Sequence, residues 1–443
     1  MEGKGKGKVG VAVAAAVGLG AIIGAGIFVL SGTAIALSGT YALVAFAIVG
    51  VLAFIIALEL GELGSLMPYV KGASYSYTYK AFGSELGFIT GMLRYMALST
   101  SIGAIALGFG SYLASFAGIS IAVYAIPFAI VLIFVLSIVN MFGVKKAAEM
   151  DFVLVAIKIG VLIVFIAFAL FLALNSPQLG LSNLSFGVPS GGAIGGIFAA
   201  SIAVFFAYSG FQSISTITDR INGGARGYVK AILTAVTISV ALYLLVVLAM
   251  LIMMPPSAYK IAADPLATAL KSVNAPSWLF VIVDIGALVA TASATIAMIL
   301  SSSRSLYQMS MDRLLPRFFR KYNAKTDTAE NGIIISAIIG VMILFAGNIY
   351  IIAAISNFGL MFDYMIIGFD VIHFRRRNVK APFAMPLYPY LPIASVILLL
   401  VMFTGMPQEA LAIGVVLIML LLVVYYSLRE IREKKVIRIR LFE

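Results

Sequence analysis

Apolar runs divide this chain into twelve stretches of about 20 residues, the length an α-helix needs to cross the hydrocarbon core of a bilayer. Their predicted bounds are 10–36, 41–64, 86–116, 122–142, 147–174, 191–218, 229–254, 278–306, 331–346, 349–371, 387–404 and 408–428. The ninth run is short, so a count of eleven or thirteen stays open. The pattern predicts an all-α protein that crosses the membrane many times.

The positions of the basic residues support an even count. If odd-numbered spans run outward, all but four of the 30 Lys and Arg residues lie in cytoplasmic segments. The four exceptions are Lys260 and Lys271 in outer loops, and Arg94 and Lys158 within spans. The positive-inside rule predicts this distribution when both termini are cytoplasmic. The net charge of +12 is therefore a topology signal and requires no nucleic-acid partner.

Composition narrows the function class. Hydrophobic residues make up 62% of the chain and charged residues 11%, whereas soluble domains have about 25% charged residues. With no cysteine and one histidine, a disulfide framework and Cys-containing metal sites are excluded, and we expect neither metal nor cofactor. The sequence has no phosphate-binding loop for ATP and no recognisable catalytic set, so we do not expect an enzyme.

Glycines interrupt the first span, where Gly20, Gly24 and Gly26 fall within seven residues. Each glycine costs about 1 kcal/mol relative to alanine in a helix interior. Broken helices of this kind form the central substrate sites of secondary transporters. Alternatively, small residues let neighbouring helices pack closely. The segment leaves both interpretations open.

The sixth span carries a matching feature, the aromatic and small-residue stretch 205–211. Spans one and six are five apart and run in opposite directions, as the discontinuous helices of five-plus-five inverted repeats do. We therefore expect a five-plus-five inverted repeat with a binding site between these two helices. The predicted parts are a cytoplasmic N-terminus (1–9), a first repeat (10–174), a second repeat (175–371), two accessory helices (372–428) and a cytoplasmic tail (429–443).

Lys158 is the most informative single residue. It lies about 11 residues into span five, hence about 16 Å deep at 1.5 Å per residue, near the centre of a core about 30 Å thick. A lysine there costs about 3 kcal/mol or more, and its ammonium needs oxygen ligands. Two roles are open for Lys158: a residue that binds a proton, and a fixed cation that joins two helices. One residue can have both roles.

Four motifs in the expected order resemble the amino acid–polyamine–organocation (APC) superfamily of transporters. They are Ile22-Ile23-Gly24-Ala25-Gly26-Ile27-Phe28; Glu62-Leu63-Gly64-Ser65 with Pro68, Gly72-Ala73-Ser74-Tyr75, Ala81-Phe82-Gly83, Gly87-Phe88 and Gly91; Phe206-Ala207-Tyr208-Ser209-Gly210-Phe211; and Ser303-Arg304-Ser305-Leu306-Tyr307 with Asp312, Leu315 and Pro316. The resemblance covers residues 10 to about 320, and the last two spans match only in hydropathy.

The resemblance implies a leucine-transporter-like fold and, with it, roles for particular residues. Backbone N–H groups at the start of a half-helix would bind the substrate carboxylate, and unwound carbonyls would bind its ammonium. The implied substrate-binding residues are Ile22, Ile23, Gly24, Ala25, Gly26, Ser101, Phe205, Phe206, Ala207, Tyr208 and Ser209. Lys158 matches the fifth-helix lysine of some proton-dependent members, with Gly20, Ile23 and Ser293 as expected partners.

The chain departs from the family pattern at several positions. Gln212 stands where members commonly have Glu, the loop 222–229 keeps only Arg226 of its usual polar core, and Lys71 replaces a usual glycine. Assignment to a subfamily is therefore insecure.

The substrate class follows from the polar residues near the expected site. A cationic side chain would need a mid-membrane carboxylate, and Asp363 is the best candidate, although it would equally pair with Arg94. Asp284 and Asp370 lie nearer the membrane faces, and Glu59 and Glu62 are interpreted as interface charges. We expect proton-coupled uptake of a neutral L-amino acid across a prokaryotic plasma membrane. An exchanger, a cationic amino acid transporter and a non-transporting sensor remain the alternatives.

Overall fold

The computed structural model describes residues 9–24, 26–68, 74–143, 147–176, 178, 182–184 and 192–440. Lys71 and the predicted N-terminal tail up to residue 8 lie outside this part of the chain. The described residues form α-helices joined by short 3₁₀, π-helical and irregular segments. The α-helices are α1 (Val11–Ile22), α2 (Ser31–Ser38), α3 (Ala42–Leu66), α4 (Ser74–Phe82), α5 (Ser84–Phe116), α6 (Ile121–Phe142), α7 (Ala147–Asn175), α8 (Ala193–Tyr208), α9 (Gly224–Met253), α10 (Pro265–Ser272), α11 (Ser277–Met311), α12 (Glu330–Ile343), α13 (Ile349–Arg376), α14 (Tyr390–Thr404) and α15 (Gln408–Arg440).

The described part of the chain contains nine helical stretches long and apolar enough to cross a membrane. One of them, Val11–Leu66, includes α1, α2 and α3, while α12 and α14 are apolar but shorter. The protein is therefore an all-α, polytopic membrane protein. The twelve-span count and the inverted repeat stay predictions.

The helix α5 lies at the centre of the bundle, in contact with α6, α11, α12 and α13. Small residues let its neighbours approach closely, as in other membrane bundles. A Cβ added at Gly103 of α5 would lie 2.7 Å from the carbonyl oxygen of Gly340 in α12. Helices at the periphery show the opposite pattern, because large apolar side chains such as Phe134 and Phe171 face outward, where a bilayer would cover them.

Glu59 and Glu62 correct one expectation from the sequence. Both side chains are buried in α3 rather than exposed at an interface. The segment before α14 covers this end of α3, and the backbone N–H of Met385 donates to Glu62 Oε2 at 2.8 Å. The expectation rested on how close Glu59 and Glu62 lie to the end of the second span. That distance says nothing about the segment before α14, which covers them and lies far away along the chain.

Candidate functional site

The first helix is interrupted at its glycine-rich motif. α1 ends at Ile22, and Ile23 has the non-helical dihedral angles φ −75° and ψ 61°. The Gly24 N–H donates to the Ile22 carbonyl, two residues earlier, at 2.7 Å. In an α-helix it would donate to the carbonyl four residues earlier. The chain then resumes as a π-helical turn, Gly26–Leu30, and continues into α2. Ala25 lies outside the described residues.

The sixth span is also interrupted. α8 ends at Tyr208, after which Ser209 is extended and Gly210 has φ 116°, a conformation for which glycine is the default residue. The chain continues as the 3₁₀ segment Phe211–Arg220. Gln212 holds the turn, because its Oε1 accepts from the Gly210 N–H at 3.0 Å and from the Tyr364 hydroxyl at 2.6 Å. An amide thus serves as acceptor where the family commonly has a carboxylate.

The two interruptions pack directly on each other. A Cβ at Gly26 would lie 2.1 Å from Ala207 Cα, and one at Gly210 would lie 2.5 Å from the Ala21 carbonyl oxygen. Close approach of the two backbones therefore requires glycine at both positions.

Tyr243 of α9 connects the two interrupted segments. Its buried hydroxyl lies 2.8 Å from the Ile22 carbonyl oxygen and 3.3 Å from that of Ala207, both acceptors. These are carbonyls that a broken helix leaves without an intrahelical partner. Sequence reasoning missed Tyr243, and its only signal was a tyrosine within an apolar span, since a buried Tyr hydroxyl usually finds an acceptor.

A small cavity lies where the interrupted segments meet α5 and α11. Its volume is about 10 Å³, about the space of one water molecule. The cavity is lined by Ala21, Ile22, Gly24, Gly26, Ser101, Ile105, Phe206, Ser209, Ala294 and Met298. An amino acid would fit only after the lining helices separate, so the arrangement is a closed one.

The structure brings together only some of the expected substrate-binding residues. Ile22, Gly24, Gly26, Ser101, Phe206 and Ser209 line the cavity. Sequence reasoning did not find Ala21, Ile105, Ala294 and Met298, which carry no polar or glycine signal. Among the other expected residues, the Tyr208 hydroxyl donates to the Phe46 carbonyl at 3.2 Å, and Phe205 packs edge-on against Tyr364. Ile23 and Ala207 are buried beside the cavity without being part of its lining.

Lys158, a residue of α7, reaches the C-terminal end of α1 with its side chain. Its side chain is 1% exposed, and Nζ donates to the Gly20 carbonyl at 2.9 Å. Gly20 precedes the interruption by three residues, so the ammonium touches the segment whose geometry forms the cavity. The Ser293 hydroxyl, also expected near this lysine, donates to the Ala290 carbonyl in its own helix at 3.0 Å.

Asp363, the acid that the sequence predicts near mid-membrane, pairs with Arg94. Arg94 Nη1 and Asp363 Oδ2 are 3.1 Å apart, and both side chains are buried. The Ser74 hydroxyl also donates to Asp363 Oδ2, at 2.7 Å. Of the two roles considered for this acid, the contacts are those of a partner for a buried base.

The segment between α9 and α11, which the sequence predicts to lie outside the cell, packs over the bundle. Pro265 at the start of α10 leaves no room for a Cβ at Gly32, which would lie 2.4 Å from Pro265 Cβ. Burial raises the pKa of the neighbouring Asp264 carboxyl, an effect that the nearby Lys271 partly offsets. This segment therefore packs directly on α2.

Comparison with known proteins places the sequence among transporters. It matches the family model described as "Amino acid permease" over residues 14–436. A methylthioribose transporter of Bacillus subtilis (strain 168) is 27% identical, over 86% of this chain and 84% of its own length. The branched-chain amino acid permease BcaP of the same organism is 26% identical over 93% and 90%. BcaP of Lactococcus lactis subsp. cremoris (strain MG1363) is 27% identical over 95% and 94%. The matched family and these relatives are transporters rather than enzymes.

Proposed function

Because this chain belongs to the amino acid permease family, within the APC superfamily, we propose that it is a proton-coupled carrier for neutral L-amino acids that works by alternating access. The observation that carries the proposal is the contact between Lys158 Nζ and the Gly20 carbonyl, next to a cavity lined by both interrupted helices. A residue that binds a proton and also holds one of the substrate-binding segments can couple proton binding to substrate binding.

The proposed architecture has twelve spans in a five-plus-five inverted repeat, with repeats at 10–174 and 175–371 and accessory helices within 372–428. Both termini are cytoplasmic in this proposal, and the membrane is a prokaryotic plasma membrane. The interruptions at Ile22–Gly26 and Ser209–Gly210 support it, because discontinuous helices at matching positions of two repeats form the transport site.

The proposed substrate orientation uses the interrupted backbones. The carboxylate meets N–H groups at Gly24–Gly26, where the chain re-enters a helix and the dipole favours an anion. The ammonium meets carbonyls at Ile22 and Ala207, which Tyr243 contacts in the closed arrangement.

A neutral side chain fits the lining best. Ile105, Phe206, Ala294 and Met298 supply apolar surface, and the carboxylate of Asp363 is engaged by Arg94 rather than available to a cationic substrate. Two of the relatives are named for branched-chain amino acids. Another is named for methylthioribose, so that compound is the second candidate substrate.

Uptake into proteoliposomes without Na⁺ tests the proposal. Radiolabelled leucine, isoleucine, valine, alanine, arginine and methylthioribose are offered with and without an inward proton gradient. We expect neutral amino acids to accumulate only with the gradient. Lys158→Ala should abolish the pH-dependent part, whereas Lys260→Ala, in an exposed turn, should behave like the unmodified protein.

The other outcomes identify the alternatives. Flux that needs internal amino acid and ignores the gradient indicates an exchanger with a structural Lys158. Accumulation of arginine alone indicates a cationic amino acid transporter. Binding without any flux indicates a sensor. Unchanged, gradient-driven uptake in Lys158→Ala would contradict the coupling role.

A further inference from the structure

Four carboxyl groups are buried between α3 and α13, and they divide into two kinds. Glu62 forms a two-pronged ion pair with Arg375, with N–O distances of 2.7 and 2.6 Å. Asp363 pairs with Arg94. Each of these two acids therefore faces a guanidinium.

Glu59 and Asp370 have a different environment. Both are 0% exposed. Glu59 Oε1 accepts from the Ser395 hydroxyl at 2.5 Å, and Asp370 Oδ2 accepts from the Thr78 hydroxyl at 2.8 Å. The second oxygen of each carboxyl is buried and has no hydrogen-bond partner within the described part of the chain.

The electrostatic neighbours of these two acids are mostly acids themselves. Glu59 interacts with Asp370 and Glu62, and Asp370 interacts with Asp363. The charged and titratable groups beside the pair are Glu62 on α3, Tyr77 on α4 and Asp363 on α13, and His373 follows Asp370 by one turn of α13. The nearest cations are Arg94, paired with Asp363, and Arg375, paired with Glu62.

A buried carboxylate without a cation is costly, because hydroxyl donors replace little of its hydration. Two such carboxylates would also repel one another. We therefore propose that Glu59 and Asp370 each bind a proton in this arrangement and form a proton-binding site distinct from Lys158. Asp363 Oδ1 is also buried without a partner, so Glu59 and Asp370 are marked by the combination of an unpartnered buried oxygen and, within the described part of the chain, no ion pair.

Contacts from α4 suggest when this site would release a proton. Ser74 and Thr78, one turn apart on α4, donate to Asp363 and Asp370 on α13. Separation of α4 from α13 would let water reach Asp370, the electrostatic neighbour of Glu59 in the proposed pair. The carboxyl O–H bond of Asp370 would then break, leaving a carboxylate, with the proton passing to water. This step, which rests on the proposed transport function, would give uptake a dependence on cytoplasmic pH.

Infrared spectroscopy of the purified full-length protein tests proton binding without any transport assay. A protonated carboxylic acid has a C=O stretch apart from the carboxylate bands, and the stretch shifts in heavy water. At neutral pH we expect this stretch in the unmodified protein. Glu59→Gln and Asp370→Asn should each remove one component of it.

Glu62→Gln is the matched control, since it replaces a buried acid one turn along the same helix that pairs with Arg375. It should leave the carboxylic acid stretch unchanged. Absence of the stretch from the unmodified protein at neutral pH would overturn the proposal even if no variant folds. Persistence of every component in both test variants would also overturn it. Either result leaves the proteoliposome test of amino acid uptake unaffected.

Discussion

At the scale of single residues, the candidate site depends on two glycines whose lack of a side chain is essential. Gly26 and Gly210 allow two backbones to touch at distances no side chain would permit. Tyr243 then supplies a hydroxyl that contacts a carbonyl from each interrupted helix. The site is therefore built from backbone groups, with few side chains giving it chemistry.

Gly26→Ala should separate the interrupted helices. The added Cβ would meet Ala207 Cα at 2.1 Å, and backbone cannot yield as a flexible side chain can. We expect uptake to fall at least about tenfold, the effect of about 1.4 kcal/mol in the closed state. The control is Gly160→Ala in α7, where nothing lies within 4 Å of the added Cβ. The control should transport normally and gain about 0.5–1 kcal/mol in helix stability. Equal uptake by both variants would contradict this account.

Tyr243→Phe should weaken substrate binding and also lower the stability of the folded protein. Loss of one hydroxyl leaves buried carbonyls with one donor fewer, which costs about 1–3 kcal/mol. We expect the apparent KM for the best substrate to rise roughly tenfold, or about 1.4 kcal/mol. Tyr350→Phe removes a hydroxyl that donates to the Ala199 carbonyl in α8, away from the interruptions, and should leave KM unchanged. Equal KM shifts in the two variants would mean that Tyr243 has only a general packing role.

At the scale of helices, sequence reasoning located the interruptions and missed what surrounds the charges. The glycines and small polar residues are local signals, so α1 and α8 end where the pattern places a break. The burial of Glu59 depends on α14, more than 300 residues away along the chain, through Ser395. No local pattern carries that contact. From the sequence, Asp363 would either contact a cationic substrate or pair with Arg94. Only the packing of α5 against α13, which brings Arg94 and Asp363 together, distinguishes these alternatives.

Replacing only one member of the buried Arg94–Asp363 pair should destabilise the protein more than replacing both members. Arg94→Gln leaves a buried carboxylate without its cation, and we expect the free energy of unfolding to fall by about 3–5 kcal/mol. Asp363→Asn added to that variant should restore part of the loss, because no uncompensated charge remains. Thermal unfolding in detergent measures both effects.

The exposed pair Arg304–Asp327 supplies the control for this prediction. Its side chains are 44% and 51% exposed, so Arg304→Gln should change stability by only about 0–1 kcal/mol. Equal destabilisation by Arg94→Gln and Arg304→Gln would contradict the role assigned to burial. A double variant less stable than Arg94→Gln alone would also contradict it.

At the scale of the whole molecule, the proposed topology depends most on α12. This helix has 14 residues, about 21 Å at 1.5 Å per residue, which is less than the roughly 30 Å core of a bilayer. The turn that follows it, up to Asn348, adds the remaining length if α12 crosses. Close packing on α5 at Gly103 and Gly340 fixes its depth. The one-sided distribution of basic residues predicts an even number of spans and therefore requires that it cross.

Single cysteines can decide this point, because the chain contains none. Ala258, Ala324 and Ala346 are exposed and lie respectively before α11, before α12 and after α12. With intact cells and a membrane-impermeant maleimide, we expect labelling of Ala258→Cys and Ala346→Cys, whereas Ala324→Cys should be labelled only after permeabilisation. Ala294→Cys, buried at the cavity, should stay unlabelled in both conditions. If Ala346→Cys instead behaves like Ala324→Cys, α12 does not cross, and the even count, the inverted repeat and the cytoplasmic C-terminus would all have to be abandoned together.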